Sequence, residues 1–247
     1  MNKKYRAPLA MLAGGLVMIV LSSVGATRAA LVYQQAADKV NFKTAELSVA
    51  IQEKVEGEYT EISGEDGISF SGITDDKIVV GKKYAEDIRV VNDSNSETGY
   101  KEYVRVVVKK SWFKDGKNIE LDPSLIKLEV ANGWYMNPDE ETTEQTVYYM
   151  TSPLECGNAA SFITGISVDN KVNEAVTIVP ADGEVDLTGN VVNEYLYEGE
   201  QIYIQLQVDA VQTHNGEDAI NGAWGIKAKC DAADDGNIIS IGEKSTQ

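Results

Sequence analysis

The sequence predicts an all-β protein: an antiparallel two-sheet, jelly-roll-like sandwich with short helical turns, preceded by a signal peptide. Three observations carry that expectation. Apolar residues recur with a period of two over many short segments. Turn-forming residues separate those segments, and the strand–helix alternation of a parallel α/β sheet is missing.

The first 29 residues read as the signal. Lys3, Lys4 and Arg6 form a positive start, an apolar run follows from 7 to 24, and small residues line up through Gly25, Ala26, Thr27 and Ala29. This order of charge, apolar run and small residues marks a secretory signal, with cleavage expected between Ala29 and Ala30. The competing reading is an uncleaved membrane anchor, because a run of about 18 residues is near the lower limit for spanning. Cleavage would remove four of the 22 Lys and Arg residues and none of the 39 acids, so 18 cations against 39 acids leave a net charge of −21. Such a surface repels nucleic-acid phosphate and anionic lipid. Contact with a membrane is therefore expected only through the uncleaved signal, and the expected location is secreted, in an extracellular matrix or at the cell surface.

Residues 30–44 follow as an N-terminal segment with apolar residues Leu31, Tyr33, Val40 and Phe42. A single β domain is expected over 45–230. Its strongest strands alternate: Leu47, Val49 and Ile51 against polar neighbours, and Val104, Val106 and Val108 against Tyr103, Arg105 and Lys109. Near the end, Ile202, Ile204, Leu206 and Val208 alternate with Tyr203, Gln205, Gln207 and Asp209. In each, one face should meet a core and the other water. Shorter strands are expected at 78–80, 84–91, 126–130, 146–150, 162–168 and 175–179. Asp115-Gly116, Asn132-Gly133 and Asn215-Gly216 supply turn chemistry between them. Helical turns are expected near 122–125 and 219–224, an inserted loop at 182–200, and a polar tail at 231–247.

The mature segment of 218 residues (30–247) suffices for one core. Cys156 and Cys230 are the two cysteines. In an oxidising compartment they are candidates for a disulfide, or they remain two free thiols, since spacing does not give their separation.

Residues that carry chemistry are sparse. His214 is the one histidine, so a His-Glu-x-x-His zinc site cannot form, and any hydrolytic triad would have to use it. Asp231, Asp234, Asp235 and Asn237 offer oxygen ligands without the spacing of a calcium loop. No catalytic residue, metal ligand or cofactor is assigned. Trp134, Tyr135, Tyr148 and Tyr149 raise carbohydrate binding as an alternative to strand packing.

Several stretches resemble the TasA/camelysin (CalY) family of exported proteins, whose signals are cut by a SipW-type peptidase. They are Leu12-Ala13-Gly14-Gly15-Leu16, Arg28-Ala29-Ala30-Leu31, and the run from Val40 to Val49. Next come Val80-Gly81-Lys82-Lys83 with Ile88 to Asn92, where Val80 stands in place of the usual proline, and Tyr103-Val104-Arg105-Val106. Gly133-Trp134-Tyr135, 154–157, 162–168, Val208 to Gln212 and Ala223-Trp224-Gly225 follow in the same order. The resemblance implies a biofilm-matrix structural protein, a fibre subunit that is not an enzyme. It would self-associate, or join other matrix subunits, by donating residues 30–44 as a strand, with Leu31, Tyr33, Val40 and Phe42 as the candidate donor residues. The alternatives are a carbohydrate- or surface-binding module and, further off, a camelysin-like surface metallopeptidase.

Overall fold

The computed structural model describes residues 47–62, 68, 70–73, 78–95, 99–174, 176–180 and 191–244. Residues 1–29, read above as a signal, and the segment 30–44 lie outside them. All described strands pair antiparallel.

The chain enters through a hairpin, β1 (Val49–Val55) and β2 (Glu58–Glu61), then runs through β3 (Lys83–Asn92) and β4 (Glu102–Phe113). A short return, β5 (Lys117–Asn118), precedes β6 (Ile126–Val130), β7 (Trp134–Met136), β8 (Gln145–Met150) and β9 (Ala159–Val168). A separate hairpin of β10 (Val176–Pro180) and β11 (Val191–Tyr195) leads to β12 (Gln201–Gln212), helix α1 (Gly216–Trp224), β13 (Ile226–Cys230) and β14 (Ile238–Lys244). One sheet has the order β2-β1-β3-β9-β6 and the other β12-β4-β8-β7, with β5 beside β4. The chain passes between the two sheets at β3–β4, β5–β6, β6–β7, β8–β9 and again before β12, which is the jelly-roll-like connectivity of an all-β sandwich.

Core-facing rows explain this arrangement. Tyr84, Ile88 and Val90 of β3 face Val104, Val106 and Val108 of β4, with Phe162, Ile163 and Ile166 of β9 and Ile204 and Leu206 of β12 in the same cluster. The expected helical turns are present: Pro123–Leu125 is a 3-10 turn capped by Asp122, and α1 covers 219–224. Among the described residues no helix is long and apolar enough to cross a membrane.

Four expectations need correction. The second face of β4 meets water only in part: Lys109 is exposed, but Tyr103 and Val107 lie in a second core with Val147, Tyr149, Val211, Ile220, Trp224, Ile226 and Ile238. Arg105, on the same face, pairs with Asp209 at 2.6 Å and lies 5.2 Å from the Trp224 ring centroid. The residues read as a polar tail include β14, whose Ile238 is buried in that second core. Residues 78–80 form a turn approach rather than a strand, and β11 occupies part of the expected inserted loop.

Helix α1 can cover the sheet because Ile220 and Trp224 stand one turn apart on one side. Gly216 opens it against the ring of Tyr103, where a Cβ would fall 2.5 Å from a ring carbon. That ring cannot retreat, since Tyr103 is fully buried and its hydroxyl donates to the Gly236 carbonyl at 2.7 Å. Glu217 ties the helix to β13, accepting from the Cys230 amide and from the Lys229 ammonium, each at 3.0 Å.

Candidate functional site

A β-sandwich leaves two edges on each sheet, and unpaired backbone along an edge is a template for another strand. Three of the four edges here are short. β2 has 4 residues with Glu58 and Glu61 exposed, β7 has 3, and β6 has 5 with Lys127 and Glu129 exposed. The fourth, β12, has 12 residues and pairs with β4 over 12 consecutive positions without a bulge. Its one charged residue, Asp209, is neutralised by Arg105. Shortness, unpaired charge, proline and bulges, which often blunt an edge, are therefore missing from β12.

The direction of its backbone groups follows from one contact. The Ile68 amide donates to the Ile204 carbonyl at 3.4 Å, so Ile204 points its backbone away from β4. In an antiparallel strand, Ile202, Leu206, Val208 and Ala210 then point the same way. Among the described residues, that is the one backbone bond across the outer side of β12. The side chains of Ile204 and Leu206 remain buried in the core, so an added strand would extend a sheet whose inner face is already packed.

Beside this edge, residues 70–73 close the end of the sandwich. Phe70 is buried there with φ 50°, a left-handed conformation uncommon for an aromatic residue. Two core-facing carboxylates hold the turn. Glu53 accepts from the Ser71 amide at 2.6 Å and Glu86 from the Gly72 amide at 3.4 Å. Burial, with the neighbouring Glu53 charge adding to it, pushes Glu86 up to about 7.

A third buried acid, Glu102, holds Ser48 just before β1. Glu102 Oε1 accepts from the Ser48 amide and the Ser94 hydroxyl, both at 3.0 Å, while among the described residues Oε2 has no partner. Burial pushes Glu102 up to about 7, against the lowering effect of these two hydrogen bonds. The neighbouring Asn92, also buried, donates to the carbonyls of Tyr100 and Leu154.

The residues singled out from the sequence fall in different places. Ala29, Ala30, Leu31, Tyr33, Val40 and Phe42 lie outside the described residues. Cys156 and Cys230 are free thiols. The Cys156 thiol donates to the Ser94 carbonyl at 3.1 Å, and Cys230 closes β13. His214 is exposed and sits 2.9 Å from Asp234. Asp231, Asp234 and Asp235 accept from Asn237, Asn215 and Thr213, bonds that shape the turn before β14. Among the described residues no group of three or more His, Cys, Asp or Glu is placed to hold a metal. The aromatic group divides: Trp134 and Tyr148 pack edge-on against Phe162, Tyr149 is buried beside Trp224, and Tyr135 is exposed.

Sequence reasoning missed Glu53, Glu86 and Glu102. Their only signal was an acid at the parity of a core-facing or buried position, which a surface reading absorbs. No family model matches this chain, and no curated protein or solved structure is significantly similar to it.

Proposed function

We propose that this chain is an exported structural subunit of a cell surface or extracellular matrix, which self-associates by strand addition. Residues 30–44 of one copy, freed by cleavage between Ala29 and Ala30, pair with the outer side of β12 on the next. The observation that carries this reading is the β12 edge: long, without a bulge, bearing one neutralised charge, and bonded on its outer side at one point among the described residues. Strand addition gains main-chain hydrogen bonds from such an edge and specificity from alternate side chains, a role that suits Leu31, Tyr33, Val40 and Phe42. The TasA/camelysin resemblance, with its SipW-type signal processing, points the same way. We read the chain as non-enzymatic; its one histidine, His214, stands exposed on a turn beside Asp234.

A protein starting at Ala45 keeps every described strand and lacks the donor. It should retain the β-sheet circular dichroism of the longer form and stay unassembled under electron microscopy, whereas protein starting at Ala30 should form fibres. Fibres of the same appearance from both would remove residues 30–44 from the mechanism.

A further inference from the structure

At the side of the sandwich opposite β12, the β6 edge and the inner faces of β4 and β8 bound a cavity of about 210 Å³. The core-facing row of β4 runs Val104, Val106, Val108, Lys110, Trp112, so a lysine takes an apolar place where the cavity opens. The Lys110 ammonium donates to the Ile126 carbonyl at 2.9 Å, which uses one of its three donors. Lys127 lines the same cavity; burial, with the Lys127 charge adding to it, lowers the Lys110 pKa against the opposing pull of Glu141 and Asp122.

These two lysines stand out against the composition. In a chain with 39 acids and 22 Lys and Arg residues, cations readily find carboxylates. Among the described residues, however, neither Lys110 nor Lys127 has one within ion-pair distance. Glu141 lies at the cavity wall without pairing to either, and Asp122 nearby accepts from the Ser124 amide and hydroxyl instead. Three hydroxyl-bearing residues also line the cavity, and the Ser124 hydroxyl is taken up by Asp122. Thr146 is 6% exposed and Tyr148 half-buried, and among the described residues neither hydroxyl has a hydrogen-bond partner. Val108, Ile126 and Leu128 supply an apolar floor.

The size and lining narrow the ligand. At roughly 30 Å³ per water the cavity holds about seven waters' volume, more than a lone inorganic anion fills and less than a drug-sized molecule needs. Unpaired cations call for an anionic group, unpartnered hydroxyls for a polyol, and the floor for the C–H face of a ring. We propose that this cavity binds one hexuronate unit, a sugar ring bearing a carboxylate, from an acidic polysaccharide. The carboxylate lies between Lys110 and Lys127. Ring hydroxyls meet Thr146, Tyr148 and the Glu141 carboxylate. This proposal does not rest on strand addition, and it is measured on unassembled protein.

Titrating the full chain with sodium glucuronate, glucose and inorganic phosphate, followed by amide NMR shifts, tests it. Saturable glucuronate binding is expected, with shifts confined to β4, β6 and β8 and with glucose bound at least roughly tenfold more weakly. Lys127 is exposed, so Lys127→Ala should leave the fold intact and weaken glucuronate by roughly tenfold or more. Lys110→Gln should do the same. Lys54→Ala, which removes an exposed lysine of β1 paired with Asp87 and away from the cavity lining, should bind as the parent does. Glucuronate bound no better than glucose, or unaffected by Lys127→Ala, would overturn the site. Phosphate bound as tightly as glucuronate would overturn the sugar assignment.

Discussion

At Glu102 a fully buried carboxyl group accepts two hydrogen bonds on one oxygen and none, among the described residues, on the other. Ionising it in that setting is costly, as it is for Glu86 beneath residues 70–73, and both are raised from 4.5 to about 7. The folded chain therefore holds protons that the unfolded chain has lost between these values. The stability they contribute is fully present below about 4.5 and lost as pH rises through about 7. The melting temperature should accordingly fall between pH 5 and pH 8, by roughly 5 °C or more. Glu102→Gln removes one of the two protons involved and should flatten that slope, and a slope unchanged in this variant would show that Glu102 does not titrate there. Tyr149 belongs to the same class of buried polar contact. It donates to Glu140 at 2.5 Å while Asn137 donates to the same oxygen at 2.9 Å. Tyr149→Phe should cost about 1–3 kcal/mol in denaturant unfolding, because a buried acceptor loses a donor.

Among the elements, β4 decides the architecture, since it is packed on both faces. Its inner row, Val104, Val106 and Val108, was legible from period two alone. So was that of β12, while β3, β6, β8 and β9 were legible as strands; in β8 and β9 adjacent residues such as Phe162 and Ile163 are both buried, which period two does not foretell. The second layer was less legible because its pieces are small. Helix α1 has 9 residues and its N-cap, Asn215, is left-handed with φ 49°, so no ordinary capping signal announces it. β13 and β14 pair with register shifts, which blurs their alternation. Tyr103, Val107, Val147 and Tyr149 nonetheless put apolar bulk on a face assigned to water, and that was the available sign of a covering layer. The edge strand β12 was readable as a strand, but its position at an edge depends on long-range pairing that no local pattern encodes. Gly216→Ala tests the seat of the helix: a methyl group 2.5 Å from the fixed Tyr103 ring should destabilise by about 1–3 kcal/mol. Trp224→Ala should cost about 3–5 kcal/mol, and a smaller loss would mean that the second core collapses around the gap.

For the whole molecule, charge opposes the proposed association. Copies carrying −21 from residue 30 onward must approach closely to share a strand. Salt shortens the reach of that repulsion to about 8 Å near physiological strength, and exposed carboxylates lose their charge near pH 4. Assembly followed by light scattering should therefore speed up as salt rises, or as pH falls toward the sequence pI of about 4.4, with an unchanged β-sheet spectrum. Growth that slows with salt would show the contact to be held by complementary charge. The central claim, that strands add along β12, is tested most directly by Val208→Pro. The Val208 amide points away from β4, so proline there removes no bond of the β12–β4 ladder while blocking the outer side. With circular dichroism confirming the fold, light scattering of protein starting at Ala30 should show growth in the parent and none in Val208→Pro. Growth at the parent's rate in the variant would contradict strand addition on β12.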